Sequence, residues 1–258
     1  MEMIAVNGIK LAYDRHGRGT PVVFLHGYPL DHSIWEALVP QLENSADLIL
    51  PDMRGFGGSE PVDAALHPYT VGDMAADVVG LLDALQINRA VIVGHSMGGY
   101  VALALAHAYP QRVLGLGLVS TQGLADPPER KAGRYATAEQ VAAQGAGVVA
   151  DAMASKLTAN PEQIPAIRAL ILRQPAAGLI GALKAMAERP DSMQLIQTFR
   201  FPVAIVHGLA DALIPVDRSR EMKAFIPQAV LTELPDVGHS PMLEAPLQTA
   251  QALKKILA

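Results

Sequence analysis

The chain has 258 residues, 50% of them hydrophobic, and no cysteine; this allows one sizeable core and excludes disulfides, thiolate nucleophiles and cysteine-ligated metal sites. Its formal net charge is -5, and because acids and bases are scattered rather than clustered, we expect no nucleic-acid partner. Residues 1–10 lack a basic segment followed by a long apolar run, and no stretch approaches the ~18 apolar residues that cross a bilayer, so we expect no membrane partner and a cytoplasmic protein.

Short apolar segments alternate with longer amphipathic ones, which is typical of a mostly parallel sheet covered by helices on both faces. The Asn7-Gly8 pair between two apolar segments predicts a hairpin, so the first two strands are expected to be antiparallel. The later strand candidates are short, apolar and bounded by turn residues, and we expect them to be buried. They span residues 22–26, 47–51, 90–94, 114–120, 203–208 and 230–234. The predicted fold class is therefore α/β.

A helix is predicted to begin after Thr70. Thr70 and Asp73 have the spacing of a capping box, and apolar residues then recur at helical spacing. These residues are Val71, Met74, Ala75, Val78, Leu82 and Leu85. We expect this apolar face to lie on the sheet.

The pentapeptide Gly94-His95-Ser96-Met97-Gly98 separates an apolar strand candidate from the helix-like residues 99–108. A sharp turn from strand to helix at a serine strains the backbone there, and flanking glycines relieve the crowding. The G-x-S-x-G pattern alone is a weak signal, but the strand before it and the helix after it strengthen it. The arrangement predicts Ser96 as an exposed nucleophile at the carboxyl edge of the sheet.

The alternation of strands and helices stops after residue 120 and resumes at residue 201. The intervening segment is rich in alanine, contains helix-like runs punctuated by proline, and is too long for a connecting loop. We interpret residues 121–200 as a helical cap inserted into a core of residues 1–120 and 201–258. A packed helical extension with no role at the site is the alternative.

The predicted cap contains apolar and basic side chains that could line a pocket beneath it. Most of the apolar ones are expected to pack the cap on the core, and some to line a pocket. They are Met153, Leu157, Ile171, Leu179, Leu183, Met186 and Met193. The basic side chains are interpreted as solvated helix faces, with contact to a substrate carboxylate as the alternative. They are Arg134, Lys156, Arg168 and Arg173.

A serine hydroxyl needs a base in reach and an acid that orients the base. Among eight histidines, His239 is the best placed base, because it follows the last predicted strand. Asp211 follows the strand at 203–208 and is expected at the same edge. The chain order Ser96, Asp211, His239 is that of a nucleophile-elbow hydrolase. Asp217, the competing acid, is interpreted as a first-turn helix residue.

The remaining histidines receive other interpretations. The His95 ring is expected to point away from the nucleophile, and His207 is interpreted as a satisfied core histidine. His26, Asp31 and His32 are conceivable metal ligands, but they are loop residues without helical register or a fourth partner. No metal site is predicted.

The charge that builds on an attacked carbonyl oxygen requires two N–H donors. One is predicted to be the backbone amide of Met97. The other is predicted to be the backbone amide of Tyr28, because residues 26–29 follow an early strand. An ordinary Gly-Pro turn is the alternative for this segment.

Residues 26–29, 52–59 and 94–99, with Asp211 and His239, together resemble the α/β-hydrolase fold family over nearly the whole chain. The resemblance implies an eight-stranded sheet flanked by helices, a cap between strands six and seven, and a Ser-His-Asp triad. The glycine-rich residues 52–59 are interpreted as structural.

Within that family, several branches do not fit. Haloalkane dehalogenases and epoxide hydrolases carry aspartate where this chain has Ser96. The hydrolases of ring-fission products resemble the chain in layout, but no asparagine directly precedes Ser96, and the one tryptophan, Trp35, is not near the end of the cap.

The sequence therefore predicts a carboxylesterase-like serine hydrolase that cleaves a small or medium carboxylic ester or lactone through an acyl-Ser96 intermediate, without metal or cofactor. An enol-lactonase or a cofactor-free perhydrolase is the alternative within the family. A signalling receptor that retains the triad and binds a small ligand under the cap is the alternative from another class. Oligomeric state and the physiological acyl and alcohol groups are not indicated by the sequence.

Overall fold

The computed structural model describes residues 1–62 and 67–257, and within them the chain forms one eight-stranded sheet. Residues 63–66 and 258, which fall in the predicted core ranges, lie outside the described residues. The strands are β1 (Glu2–Val6), β2 (Ile9–Gly17), β3 (Thr20–Leu25), β4 (Ala46–Pro51), β5 (Ala90–His95), β6 (Val113–Val119), β7 (Val203–Gly208) and β8 (Val230–Leu234). Their order in the sheet is β1-β2-β4-β3-β5-β6-β7-β8.

Helices cover the sheet and fill the segment between β6 and β7. They are α1 (Val39–Leu42), α2 (Val71–Ala84), α3 (Met97–Ala108), α4 (Pro128–Gln144), α5 (Gly147–Met153), α6 (Ile164–Leu172), α7 (Ala176–Ala187), α8 (Met193–Ile196), α9 (Asp217–Phe225), α10 (Pro241–Glu244) and α11 (Pro246–Lys254). The predicted α/β fold class is confirmed.

Strand direction follows the length of the connections. Asn7 and Gly8 both adopt positive φ, of 47° and 81°, and join β1 to β2 as an antiparallel hairpin, as predicted. Strand β2 is also antiparallel to β4, whereas the pairs from β4 to β8 are parallel. Parallel strands require long crossovers, and here helices provide most of them. As a result, the carboxyl ends of β3, β5, β7 and β8 lie at one edge of the sheet.

Burial separates the central strands from the last one. Every residue of β4, β5 and β7 is buried, as expected for parallel strands covered on both faces. The expectation of a buried strand at 230–234 is wrong, because β8 is an edge strand in which Val230 is 41% exposed and only Leu234 is buried.

The predicted capping box at the start of α2 is present. The Thr70 hydroxyl accepts a hydrogen bond from the Asp73 amide at 3.1 Å, and the Asp73 carboxylate accepts one from the Thr70 amide at 2.7 Å. The predicted apolar face of α2 is buried from Val71 to Leu82, and Leu85 packs at its edge.

Thr70→Ala is expected to lower the free energy of unfolding by about 1 kcal/mol, because the amide of Asp73 loses its acceptor at the helix start. Urea denaturation of the variant and the parent would measure this difference. An unchanged midpoint at equal slope would show that the cap adds nothing to stability.

Between β6 and β7 lie the helices α4 to α8, where the sequence predicts a cap. Helix α4 packs on α7, and α7 sits on the turn after β4. A Cβ atom on Gly178 of α7 would overlap the Gly55 carbonyl, so the two backbones meet without side chains between them.

No single helix in the described ranges is long and apolar enough to cross a membrane, although the pair Pro161–Leu172 and Ala176–Ala187 reaches that length and composition with a bend of 101°.

Candidate active site

Ser96 lies at the turn between β5 and α3 with φ 50° and ψ −111°, a strained conformation for a residue with a side chain. A Cβ atom on Gly94 would overlap the Gly98 carbonyl, and one on Gly98 would overlap the Leu25 carbonyl of β3. The glycines of the pentapeptide are therefore required because the backbone closes on itself and on the neighbouring strand. This turn holds Ser96, which is half-buried, at the carboxyl end of β5.

His239 and Asp211 form a buried pair at the same edge of the sheet. His239 follows β8 and Asp211 follows β7; His239 Nδ1 lies 2.7 Å from Asp211 Oδ2, and each side chain is 1% exposed. The other carboxylate oxygen, Oδ1, accepts hydrogen bonds from the amides of Leu213 at 2.8 Å and Ile214 at 3.0 Å. Because the carboxylate accepts from Nδ1, the proton lies there and His239 Nε2 is left as a base.

The surroundings of Asp211 keep its carboxyl ionised. Burial acts to raise its pKa, but the charge of His239, the hydrogen bonds from His207 and His239, and the Ile214 amide outweigh burial. The pKa of Asp211 therefore lies well below its usual range. An ionised carboxylate at this position can stabilise a positive charge on the His239 ring.

His207 is buried with both nitrogens engaged, as the sequence predicts, but it also contacts the acid. His207 Nδ1 lies 2.7 Å from the Ser219 hydroxyl, and Nε2 lies 2.9 Å from the Ile214 carbonyl and 3.3 Å from Asp211 Oδ2. Because Nε2 faces only acceptors, it carries the proton, and Nδ1 accepts from Ser219. His207 and Asp211 are four residues apart on either side of a strand end, and this spacing is the sequence signal for the contact. The interpretation of His207 as a core histidine does not include it.

His95 supports the His239 backbone. Its Nε2 lies 2.8 Å from the His239 carbonyl, and burial together with the His239 charge lowers the pKa of His95 to about 3. His95 is therefore neutral at physiological pH and donates Nε2–H to that carbonyl. Its Nδ1 is buried without a partner in the described part of the chain, against the Cα of Gly27.

Glu244 holds the loop on either side of His239. Its Oε2 accepts hydrogen bonds from the amides of Gly238 at 2.9 Å and Ala159 at 2.8 Å, and its Oε1 accepts one from the Ser240 amide at 3.1 Å. Since Ala159 lies between β6 and β7, one carboxylate ties the His239 loop to that segment. No local sequence pattern identifies Glu244.

The amides predicted to stabilise an oxyanion lie beside the serine. Met97 is the first residue of α3, and Tyr28 follows Gly27, where a Cβ atom would lie 3.2 Å from Ser96 Cβ. Among residues 1–62 and 67–257, neither the Met97 nor the Tyr28 amide has an acceptor. The assignment of these two donors stays a prediction.

A cavity of about 520 Å³ brings these elements together. Ser96, His239, Tyr28 and Tyr100 line it from the core. Asp211 lies behind His239, and Met97 is buried under the elbow. The described residues include no hydrogen bond between the Ser96 hydroxyl and His239, and catalytic hydrogen bonds are often longer in ligand-free structures.

Only some of the predicted cap side chains reach this cavity. Met153, Leu183 and Met186 line it, together with Val149 and Ala152. The other apolar candidates, Leu157, Ile171, Leu179 and Met193, are buried. Of the basic candidates, Arg134 lines the cavity, Arg168 forms an exposed pair with Asp151, and Arg173 pairs with Asp31.

The residues considered as metal ligands have other partners. His26 Nε2 accepts a hydrogen bond from the Met53 amide at 2.9 Å. Asp31, His32 and Asp52 have ligand atoms within 4.8 Å of one another. His32 Nδ1 lies 2.7 Å from Asp52, and Asp31 accepts from Ser33, Arg173 and Gln174. Hydrogen bonds within the protein therefore engage these ligand atoms, and they explain why the three side chains lie together.

Asp52 also accepts a hydrogen bond from the Gly58 amide at 2.8 Å, and the Ser59 hydroxyl donates to the Asp52 carbonyl at 2.6 Å. Within residues 52–59, these two bonds close the glycine-rich turn on itself. The turn is held by backbone and side-chain contacts of the kind expected for a structural element.

The chain is similar in sequence to known proteins. The α/β hydrolase fold family matches residues 20–246. The dihydrolipoyllysine-residue acetyltransferase component of an acetoin cleaving system from Pseudomonas putida is 31% identical over 93% of the chain. The chain spans only 64% of the length of that relative.

Solved structures match over the full length. A thermophilic esterase from Thermogutta terrifontis with bound malate has a TM-score of 0.95 and 36% identity, covering 100% of both chains. The enol-lactonase from Burkholderia xenovorans LB400 has a TM-score of 0.90 and 26% identity, covering 99% of both chains.

Proposed function

Because the chain belongs to the α/β hydrolase fold family, we propose that it hydrolyses small or medium carboxylic esters or lactones through an acyl-Ser96 intermediate. One observation carries the proposal: Ser96 on a strained turn and His239, held by Asp211, line the same cavity. The enzyme needs no metal or cofactor for this chemistry, because serine, histidine and aspartate supply the nucleophile, the base and the orienting acid.

In the first half of the reaction, Ser96 Oγ attacks the substrate carbonyl carbon while His239 Nε2 takes the hydroxyl proton. Asp211, which accepts from His239 Nδ1 at 2.7 Å, stabilises the imidazolium. The amides of Tyr28 and Met97, which have no other acceptor in the described ranges, stabilise the oxyanion. His239 then gives its proton to the leaving alcohol oxygen as the carbon–oxygen bond breaks.

In the second half, water replaces the alcohol. His239 removes a proton from water, whose oxygen attacks the acyl carbon, and the proton passes to Ser96 Oγ as the acid leaves. The same donors stabilise the second oxyanion. A lactone follows the same steps, except that its alcohol stays attached to the acyl group.

The comparisons support an ester or a lactone as the substrate. The similar solved structures include an esterase and an enol-lactonase. A cavity of about 520 Å³ suits a small or medium acyl group. A perhydrolase would use the same acyl-enzyme with hydrogen peroxide in place of water.

Release of p-nitrophenol from esters ranging from acetate to laurate tests the proposal. We expect rapid multiple turnover with an optimum in acyl chain length. Slow single turnover, accompanied by a more stable cap, would contradict hydrolysis and favour a ligand-binding receptor. If these esters are not cleaved but Ser96 reacts with a fluorophosphonate, lactones become the substrates to examine.

His207→Phe is expected to lower kcat/KM for a cleaved ester about tenfold and to move the acidic limb of its pH profile to higher pH. The reason is that Asp211 loses a hydrogen-bond donor, so its carboxylate interacts more strongly with protonated His239. His207→Gln, whose amide N–H can replace Nε2–H, should restore part of the rate and the position of the limb.

The measurement is kcat/KM between pH 5 and pH 9 for the parent and both variants. If His207 positions Asp211, the acidic limb of the pH profile moves in His207→Phe. A lower rate with an unmoved limb would mean that His207 only supports packing.

A further inference from the structure

A buried ionic cluster of Asp126, Arg134 and Arg189 reaches the cavity through Arg134. The Asp126 side chain is fully buried, accepts a hydrogen bond from Arg134 Nε and forms an ion pair with Arg189, whose Nη2 lies 2.8 Å from Asp126 Oδ1. Burial acts to raise the pKa of Asp126, but its bonds to Arg189 and Arg134 outweigh burial and lower the pKa. Because arginine stays protonated, this cluster carries one more positive charge than negative charge.

The two arginines differ in how many of their N–H donors have an acceptor. Arg189 is 3% exposed, donates to the carbonyls of Met186 and Leu124 at 2.8 and 2.9 Å, and stacks on the Tyr100 ring. Arg134 lines the cavity, and its side chain is 16% exposed. Its Nη1 lies 3.4 Å from Met186 Sδ, a weak acceptor, and its Nη2 has no acceptor within the described residues. The excess charge therefore faces the cavity through Arg134.

Tyr28 adds a second unused donor to the same cavity. Its side chain lines the cavity, yet its hydroxyl is buried without a hydrogen-bond partner in the described part of the chain. Burial raises the pKa of Tyr28 against the opposing charge of Arg134, so the hydroxyl stays protonated and can donate. An unpartnered buried hydroxyl is costly, and an acceptor on a ligand would remove that cost.

Other charged groups on the cavity lining do not cancel Arg134. Glu129 and Arg130 of α4 are exposed at the cavity and have opposite charges. Arg130 Nη2 donates to the Leu213 carbonyl at 3.3 Å. Thr137 also lines the cavity, but its hydroxyl donates to the Gly133 carbonyl at 2.9 Å. The other side chains from this segment are mostly apolar, including Val149, Ala152 and Leu183. The cavity thus combines an apolar lining with one site for a negative charge.

We propose that the substrate carries a carboxylate separate from its scissile ester or lactone bond, and that Arg134 and the Tyr28 hydroxyl bind this carboxylate. The inference rests on the proposed function and specifies its substrate class. A guanidinium with a free N–H edge and a phenol hydroxyl form charge-assisted hydrogen bonds to carboxylate oxygens, which a neutral ester cannot replace. Monoesters of dicarboxylic acids and lactones with an attached carboxylate have this chemistry.

Matched ester pairs test the inference. Monomethyl succinate, glutarate and adipate are compared with methyl esters of uncharged acids of the same chain length, and kcat/KM is measured from acid release. The parent is expected to prefer the charged member of at least one pair. In Arg134→Met the ratio of charged to neutral kcat/KM should fall about tenfold to a hundredfold, because one charge-assisted contact is lost.

Three further variants make the result specific. Arg134→Lys keeps the charge and should retain part of the ratio. Tyr28→Phe leaves the ionic cluster intact and should lower the ratio about threefold to tenfold, as expected for one hydrogen bond. Arg168→Met removes an arginine whose partner is the exposed Asp151 and should change neither rate. Comparing 3-acetoxypropanoate with propyl acetate shows whether the alcohol side carries the charge.

The outcomes separate this inference from the proposed function. Ser96-dependent cleavage with no preference for charge, and with the same ratio in Arg134→Met and Tyr28→Phe, would overturn the inference alone. Absence of Ser96-dependent cleavage of every ester and lactone would overturn both. Thermal melting of Arg134→Met identifies a loss of folding, in which case Tyr28→Phe and Arg134→Lys decide the result.

Discussion

Ser96→Ala is expected to lower kcat for ester cleavage by a factor on the order of 10⁴ to 10⁶, because no other group replaces the attacking oxygen. The residual rate would come from substrate binding and from the oxyanion donors, which the substitution leaves in place. The Ser96→Ala variant should also form no acyl-enzyme intermediate.

The fold of this variant is expected to be intact. The Ser96 hydroxyl makes no hydrogen bond within residues 1–62 and 67–257, and alanine keeps the Cβ that the strained turn already accommodates. Glycines 94 and 98, which allow the close backbone contacts, are unchanged. Parallel measurements of p-nitrophenyl ester turnover, circular dichroism and fluorophosphonate labelling check the prediction. Near-normal cleavage by the folded variant would disprove the assignment of the nucleophile.

Asp211→Asn is expected to lower kcat by about 10³- to 10⁴-fold with a much smaller change in KM, as for the corresponding change in other serine triads. The amides of Leu213 and Ile214 both donate to Oδ1, so the asparagine oxygen is expected at that position. Its NH₂ group then takes the place of Oδ2 and faces His239 Nδ1. This favours the tautomer with the proton on Nε2, which cannot take the Ser96 proton.

Asp217→Asn is the matched control for this prediction. Asp217 is the competing acid in the sequence, but its side chain is 71% exposed and pairs with Arg220 at the start of α9. We expect its substitution to leave kcat within about twofold of the parent, since exposed ion pairs contribute little. Full activity in Asp211→Asn, or a large loss in Asp217→Asn, would mean that the acid is wrongly identified.

The features predicted correctly from sequence are those encoded by neighbouring residues. The Asn7-Gly8 hairpin, the capping box at Thr70 and the strand before Ser96 each depend on a short pattern. Strand burial was harder to predict, because Val230 lies in an apolar segment like those of the central strands. Its exposure follows from its position in an edge strand, which local pattern does not specify.

Two kinds of feature cannot be predicted from the sequence. One is a contact between residues that are distant in the chain, and the other is a difference between similar residues that depends on their surroundings. Arg134 and Arg168 are equivalent as basic residues of predicted cap helices. Only the packed structure places Arg134 between Asp126 and the cavity, and Arg168 at the surface. Glu244 and Ala159 likewise lie 85 positions apart, so their contact depends on the tertiary fold.

Glu244 connects the loop that carries His239 to the segment between β6 and β7. A displacement of that segment that stretches the Ala159 bond withdraws one of the three amides that fix this carboxylate. The remaining two amides, of Gly238 and Ser240, flank His239 and keep the carboxylate attached to its loop. The position of the His239 loop is therefore set partly by a residue 85 positions away in the chain, because Ala159 and the two amides of this loop share one carboxylate.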